Sequence, residues 1–497
     1  MDTIHYLFSG FATMCAPFNL FTCFVGVTTG TLIGVLPGIG PVATMAILLP
    51  ITFAMDPTPA IIMLCGIFYG AQYGGSTTSI LVNIPGEVGS IVTCLDGYQM
   101  ARKGRAGPAL GISAMGSFIG GTLSIVGLML LTPPLAKLAV GFGPPELFAL
   151  IIFGLMMVSS IGSGSVVKAL IMAALGLFVS TIGRESIKGF GRFTFGSLTL
   201  SDGVGLIPVA VGMFGIAELL TNIEKMEKQE IFKTELTHIF PTLKDWYASS
   251  WPIIRGTGLG FFLGILPGAG TILPTFFSYG LEKRLSKHPE EFGKGAIEGV
   301  AGPETANNAA VSGSMVPLLA LGVPPHAVMA MLLGAFIIHG IQPSPFFIAE
   351  HPDLFWGIIA SMYIGNIMLL ILNLPLIGMW VQILKVPYRL LFPLIIIFCF
   401  IGVYSLNNNF WELLIMLIFG LLGYIFRKIG YEPGPFLLAM ILGPMMETSY
   451  RQSMTISRGD PMIFLQRPFA AILLIIAFLV MTALIVLTAL RKRRLAV

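Results

Sequence analysis

The sequence predicts an all-α polytopic membrane protein. It comprises two inverted-topology repeats with broken or re-entrant helices, plus one extra C-terminal transmembrane helix. Three observations predict this. Of 497 residues, 55% are hydrophobic and only 10% are charged, and the mean hydropathy is +0.88; a soluble domain carries about 25% charged residues. Apolar runs reach the roughly 20 residues that a helix needs to span a bilayer. Finally, motifs of the first half recur in the second half in the same order.

The elements follow in order. Residues 11–36 form a first apolar segment ending in Gly34-Val-Leu-Pro-Gly-Ile-Gly40. Pro41–Phe53 is a short apolar piece closed by Asp56-Pro-Thr-Pro59. Ala60–Ile84 is a segment interrupted by Gly74-Gly-Ser-Thr-Thr-Ser79, inside the polar stretch Tyr69–Gly86. Glu87–Lys103 places Val88, Ile91, Val92, Leu95 and Tyr98 at helical spacing and ends basic at Arg102, Lys103 and Arg105. Apolar spans follow at about 108–132, 144–161, 165–182 and 204–221. Asn222–Trp246 is a long charged connection, read as a solvated linker. The domains are therefore a first membrane repeat over 1–222, a cytoplasmic linker over 223–246, a second repeat over 247–450, and a loop, final helix and basic tail over 451–497.

The repeat is legible in motifs. Gly264-Ile-Leu-Pro-Gly-Ala-Gly270 matches Gly34–Gly40, and the polar stretch Ala301–Pro317 matches Tyr69–Gly86. Gly443-Pro-Met-Met-Glu447 parallels Gly215-Ile-Ala-Glu218. Charge gives the orientation. Arg491–Arg494 put the C-terminus in the cytoplasm, and counting back span by span places Arg427-Lys428 inside as well. The span at 354–384 then starts outside, after Glu350 and Asp353, while its counterpart at 108–132 starts inside, after the basic loop. Equivalent spans run in opposite directions, which is the inverted-repeat plan of many secondary transporters.

Hydrocarbon cannot satisfy freed backbone groups, so polar, helix-breaking stretches at membrane depth belong around a wet cavity. Corresponding breaks in two halves mark a transporter's binding site. The candidate substrate-binding residues are Gly38, Gly40, Ser76, Thr77, Thr78, Ser79 and Asn83 in the first half. In the second they are Gly268, Gly270, Thr305, Asn307, Asn308, Ser312 and Ser314. Hydroxyls and amides supply directional bonds. Broken-helix N-termini suit an anion, and unwound carbonyls suit Na⁺, placed near Gly38, Thr77, Gly268 and Asn307. No arginine sits in either polar stretch. Lys137 and Lys168 are the nearest basic candidates, Glu87 reads as a helix cap, Glu304 as a cation ligand or helix-start group, and His326 and His339 as packing residues.

Other chemistry is excluded or set aside. The five cysteines lack metal-ligand spacing and read as unpaired packing residues. The first thirty residues hold no Lys or Arg, so no secretory signal peptide is expected. There is no nucleotide-binding P-loop and no His-Glu-x-x-His zinc helix, and the chain is not expected to be an enzyme or to need a cofactor. The alternative to coupled transport is a channel-like or structural membrane subunit.

Four stretches carry a family resemblance: Gly34–Pro41, Tyr69–Glu87, the Asp96-Gly-Tyr98 segment with its basic end, and Gly302-Pro-Glu-Thr-Ala-Asn-Asn-Ala309. Together they resemble the large membrane subunit, TctA-type, of tripartite tricarboxylate transporters. The resemblance implies a multi-pass component of the bacterial inner membrane. It implies two partners, a small membrane subunit (TctB-type) and a periplasmic solute-binding protein (TctC-type) that delivers a carboxylate. It also implies uptake driven by an ion gradient, with Na⁺ as the coupling ion.

Overall fold

The computed structural model describes residues 2–36, 40–161, 165–185, 189–224, 239–383 and 388–495. The first half contains α1 (Asp2–Met14), α2 (Pro17–Val35), α3 (Pro41–Thr52), α4 (Pro57–Val82), α5 (Thr93–Arg102), α6 (Ala106–Ala139), α7 (Pro144–Ile161) and α8 (Val166–Ser180). A hairpin of β1 (Gly183–Arg184) and β2 (Gly191–Arg192) follows, then α9 (Leu198–Ser201). Next come α10 (Leu206–Ala210) and α11 (Ala217–Glu224), joined through a π-helical turn, Val211–Ile216. The second half contains α12 (Leu243–Ile265), α13 (Ile272–Leu285), α14 (Glu298–Leu321), α15 (Ala327–Ile338), α16 (Phe347–Glu350) and α17 (Pro352–Asn373). It continues with α18 (Ile377–Ile383), α19 (Tyr388–Asn407), α20 (Phe410–Lys428), α21 (Gly434–Ile456) and α22 (Ile463–Gln466), and closes with α23 (Pro468–Leu495). The chain is all-α in substance, and α23 is its last helix. Most of the charged linker, residues 225–238, lies outside the described residues.

Helices meet in matching pairs. α2 lies along α4 and α12 along α14; α6 crosses α14 and α17 crosses α4; α8 packs on α21, and α20 on the α10–α11 segment. The halves are interleaved rather than placed side by side.

Glycine rows explain the closest pairs. A Cβ on Gly26, Gly30 or Gly34 of α2 would collide with the carbonyl oxygens of Met63, Ile67 and Ala71, one turn apart along α4. In α12, Gly256, Gly260 and Gly264 meet the carbonyls of Gly302, Ala306 and Ala310 on α14 in the same way. The four-residue spacing keeps each row on one helix face. Lipid is as apolar as leucine, so association in the bilayer rests on such close van der Waals contact.

Polar ties fasten the halves at one end. Arg105, at the start of α6, reaches Asp245 Oδ1 of α12 at 2.5 Å. Asp96 of α5 is fully buried and accepts four bonds from the second half: Tyr279 Oη (2.9 Å) and the backbone N–H groups of Gly293 (2.9 Å), Gly295 (2.7 Å) and Ala296 (2.9 Å).

The breaks fall elsewhere than expected. The polar stretches do not interrupt their helices: α4 runs unbroken through Ser79 and α14 through Ser314. Their hydroxyls bond back to carbonyls of the preceding turn, as Ser76 does to Gln72 O (3.1 Å) and Thr305 to Ala301 O (2.7 Å), so they saturate the helix instead of opening it. The interruptions lie at the helix ends, where the chain supplies proline or a left-handed residue. They are Leu36 at the end of α2 and Gly40 before Pro41, Asn83 (φ 58°) before Pro85, Pro267 with Gly268 (φ 82°) and Gly270 (φ 54°), and Gly322 (φ 67°) before Pro324-Pro325. These φ values lie in the region where glycine carries no steric penalty.

Candidate functional site

Three of the breaks restart the chain as α3, α13 and α15, and these starts converge with that of α21. A cavity of about 290 Å³ is lined by Pro41 and Val42 of α3, by Ile272 and Leu273 of α13, by Ala327 and Val328 of α15, and by Gly434 and Pro435 of α21. The first-turn N–H groups of a helix have no intrahelical acceptor, and their partial positive charge favours an anion. Gly268, Ala269, Gly270 and Thr271 form another wall, and Phe68, Gln72, Glu87, Val88, Val158, His326 and Glu432 complete the lining. No lysine or arginine lines it among the described residues.

Polar side chains behind the wall form two networks. Glu87 accepts from Gly89 N (2.7 Å) and Asn307 Nδ2 (2.9 Å). With its amide turned to donate, as the surrounding acceptors require, Gln72 reaches the Glu87 carboxylate at 3.1 Å and Asn307 Oδ1 at 3.0 Å. Glu87 thus caps the short helical turn at Val88–Ile91, as expected, and also faces the cavity. The second network centres on Glu304, which is 1% exposed. Its carboxylate accepts from the hydroxyls of Ser76 on α4, Thr93 on α5 and Ser113 on α6. Asn308 links the same region to α6 through Ser117 Oγ at 2.7 Å.

The expected substrate residues therefore divide. Gly268 and Gly270 line the cavity; Gly40 is the N-cap of α3, immediately before the lining residue Pro41; Gly38 lies outside the described residues. Asn307 stands directly behind the wall, on Glu87. The others lie away from the cavity wall, most of them in helix contacts. Ser76 serves Glu304, Thr78 bonds Val35 O (2.8 Å), Ser79 bonds Ser90 Oγ (2.9 Å) and Ser312 bonds Ser124 Oγ (2.9 Å). Thr305, Asn308 and Ser314 bond backbone or α6, Thr77 is buried in α4, and Asn83 is the exposed left-handed cap of α4. Lys137 and Lys168 do not line the cavity; Lys168 bonds Ile429 O at 2.5 Å and covers the Tyr431 ring. His326 lines the cavity. It is the N-cap residue of α15, its ring stands 5.7 Å from Phe68, and its buried Nε2 has no hydrogen-bond partner among the described residues. Its place just beyond Pro324-Pro325, at a helix start, was the available signal. His339 sits at the other end of the same helix.

The family described as "Tripartite tricarboxylate transporter TctA family" matches residues 20–438. Two Agrobacterium vitis proteins are similar. One, described as an uncharacterized 52.8 kDa protein in the TAR-I ttuC' 3' region, is 52% identical over 494 residues, which is 99% of this chain and 98% of the relative. The other, an uncharacterized protein in the TAR-II ttuC' 3' region, is 55% identical over 235 residues, covering 47% of this chain and 97% of the relative. No solved structure matches.

Proposed function

The chain belongs to the tripartite tricarboxylate transporter TctA family, and from that membership we propose that it is the large permease subunit of a binding-protein-dependent secondary transporter for carboxylates. The observation that carries this reading is the convergence of four helix starts on one cavity without a lining lysine or arginine. In such a site the helix starts favour a carboxylate while the lining Glu87 and Glu432 oppose it, leaving net negative charge to be offset by a co-transported cation. Moving an unpaired anion through low dielectric is strongly unfavourable. Na⁺ is the proposed coupling ion, held near Gly268 and Asn307, with Glu87 supplying a carboxylate beside Asn307. The partners in this reading are a TctB-type small membrane subunit and a TctC-type periplasmic binding protein, and the location is the bacterial inner membrane.

Uptake of labelled di- and tricarboxylates into proteoliposomes holding the subunit and its partners tests this. With an inward Na⁺ gradient, accumulation above equilibrium is expected, and collapse of the gradient at constant ionic strength with choline should abolish it. Substrate affinity should rise with Na⁺, and Na⁺ affinity should rise by the same factor with substrate. Uptake indifferent to Na⁺ would leave protons or facilitated diffusion.

The reading also rests on opposed repeats. Single cysteines at Gly104 and Asp353, in a background lacking the native cysteines, are expected to react with an impermeant thiol reagent from opposite faces of the membrane. Labelling of both from one face would refute the inverted arrangement.

A further inference from the structure

A second cavity, of about 450 Å³, lies under the β1–β2 hairpin, away from the candidate site. Ile337 near the C-terminal end of α15 lines it, whereas the N-terminal end of that helix lines the first cavity, about 18 Å away along 12 residues. Its floor is apolar, with Leu206, Met440 and Ile441, and its upper wall carries Arg184, Arg192, Asp202 and Glu447.

The charges on that wall are incompletely used. Arg192 holds Glu447 with both terminal nitrogens, at 2.9 and 3.0 Å, and its Nε is buried with no partner among the described residues. Arg184 is exposed, and neither it nor Asp202 takes part in an ion pair among the described residues. The exposed Arg184 guanidinium and Asp202 carboxylate thus line one cleft, and they complement a group bearing adjacent negative and positive charges. The chain on either side of the lining residue Arg192 is aromatic. Phe190, Phe193 and Phe195 are 68%, 49% and 89% exposed on the protein surface. Phe193 (φ 52°) and Phe195 (φ 47°) are both held in the left-handed region that disfavours any residue with a Cβ. Aromatic rings beside a bilayer gain burial at the headgroup level.

We propose that this cleft binds the headgroup of a zwitterionic glycerophospholipid with a primary ammonium, such as phosphatidylethanolamine. The phosphate lies on Arg184, the ammonium on Asp202, and the acyl chains follow the apolar floor toward the exposed Phe193–Phe195 segment. A free carboxylate fits less well, because two arginines face two acids and half the wall is hydrocarbon.

Native mass spectrometry of the full chain, released from membranes in mild detergent, reads the retained lipid. Wild type is expected to retain phosphatidylethanolamine, and Arg184→Gln to lower retention about tenfold, the loss expected from one charge-assisted bond. Adding phosphatidylethanolamine to delipidated protein should raise the thermal midpoint more than phosphatidylcholine, whose quaternary ammonium has no N–H to donate. Asp202→Asn should erase that difference, and Phe195→Ser, on a fully surface side chain, should weaken retention without altering the ion cluster. Equal retention in wild type and Arg184→Gln would overturn the proposal. So would equal response to the two lipids, or protection by a soluble dicarboxylate that depends on Arg184.

Discussion

Glu304→Leu is expected to abolish uptake and to strip most of the folded protein from the membrane. One carboxylate on α14 satisfies hydroxyls from α4, α5 and α6. Leucine would leave these donors facing hydrocarbon, and each unsatisfied buried group costs about 1–3 kcal/mol. Ser76 retains its second acceptor, Gln72 O, so Thr93 and Ser113 bear most of the loss. The sum approaches the roughly 5–15 kcal/mol that separates a folded domain from its unfolded state. Glu304→Gln keeps an acceptor of the same shape and is expected to remain monodisperse, so its uptake isolates the need for the charge. Size-exclusion profiles of fluorescent fusions, paired with uptake at matched protein, make the measurement. A monodisperse Glu304→Leu protein with wild-type uptake would show that the network is dispensable.

The second large effect is expected at the α2–α4 contact. Gly30→Val places a branched side chain against the backbone of Ile67, where an added Cβ would stand 2.9 Å from Ile67 C as well as on its carbonyl oxygen. Overpacking costs about 1–3 kcal/mol where side chains can turn aside. A helix backbone cannot, so the cost falls at or above the top of that range and the two helices must part. Gly258 gives the contrast: no heavy atom lies within 4 Å of a Cβ there, and alanine favours helix over glycine. Gly30→Val is expected to yield little folded protein, and Gly258→Ala to match wild type in yield and thermal midpoint. Equal behaviour of the two variants would show that the glycine row is not what holds α2 to α4.

Much of this protein is settled by sequence. Its class follows from composition, because a chain with few charges and long apolar runs has no stable alternative to satisfying its backbone internally as helix. The breaks follow from local chemistry, since Pro41, Pro85, Pro267 and Pro324 cannot continue a preceding ladder and Gly268, Gly270 and Gly322 take backbone angles that other residues avoid. Gly268 and Gly270 were legible as cavity residues for that reason. The rows Gly26-Gly30-Gly34 and Gly256-Gly260-Gly264 were also present as spacing, and they name the faces on which helices meet.

Only the tertiary structure decided which polar groups face the cavity. Ser79 and Ser312 carry the same hydroxyl as any candidate ligand, yet the rotation of α4 and α14 about their glycine contacts turns them onto Ser90 and Ser124. The same rotation aims Gln72 at Glu87, while the chain restarts at His326 and Thr271 bring residues from distant breaks to one wall. Composition and local breaks act within a few residues and are therefore written in the sequence. The phase of one helix against another is set by contacts between separate segments, the glycine rows of α2 on α4 and of α12 on α14 and side-chain bonds across the halves such as Ser76 to Glu304, and it emerges only when all the helices are packed together.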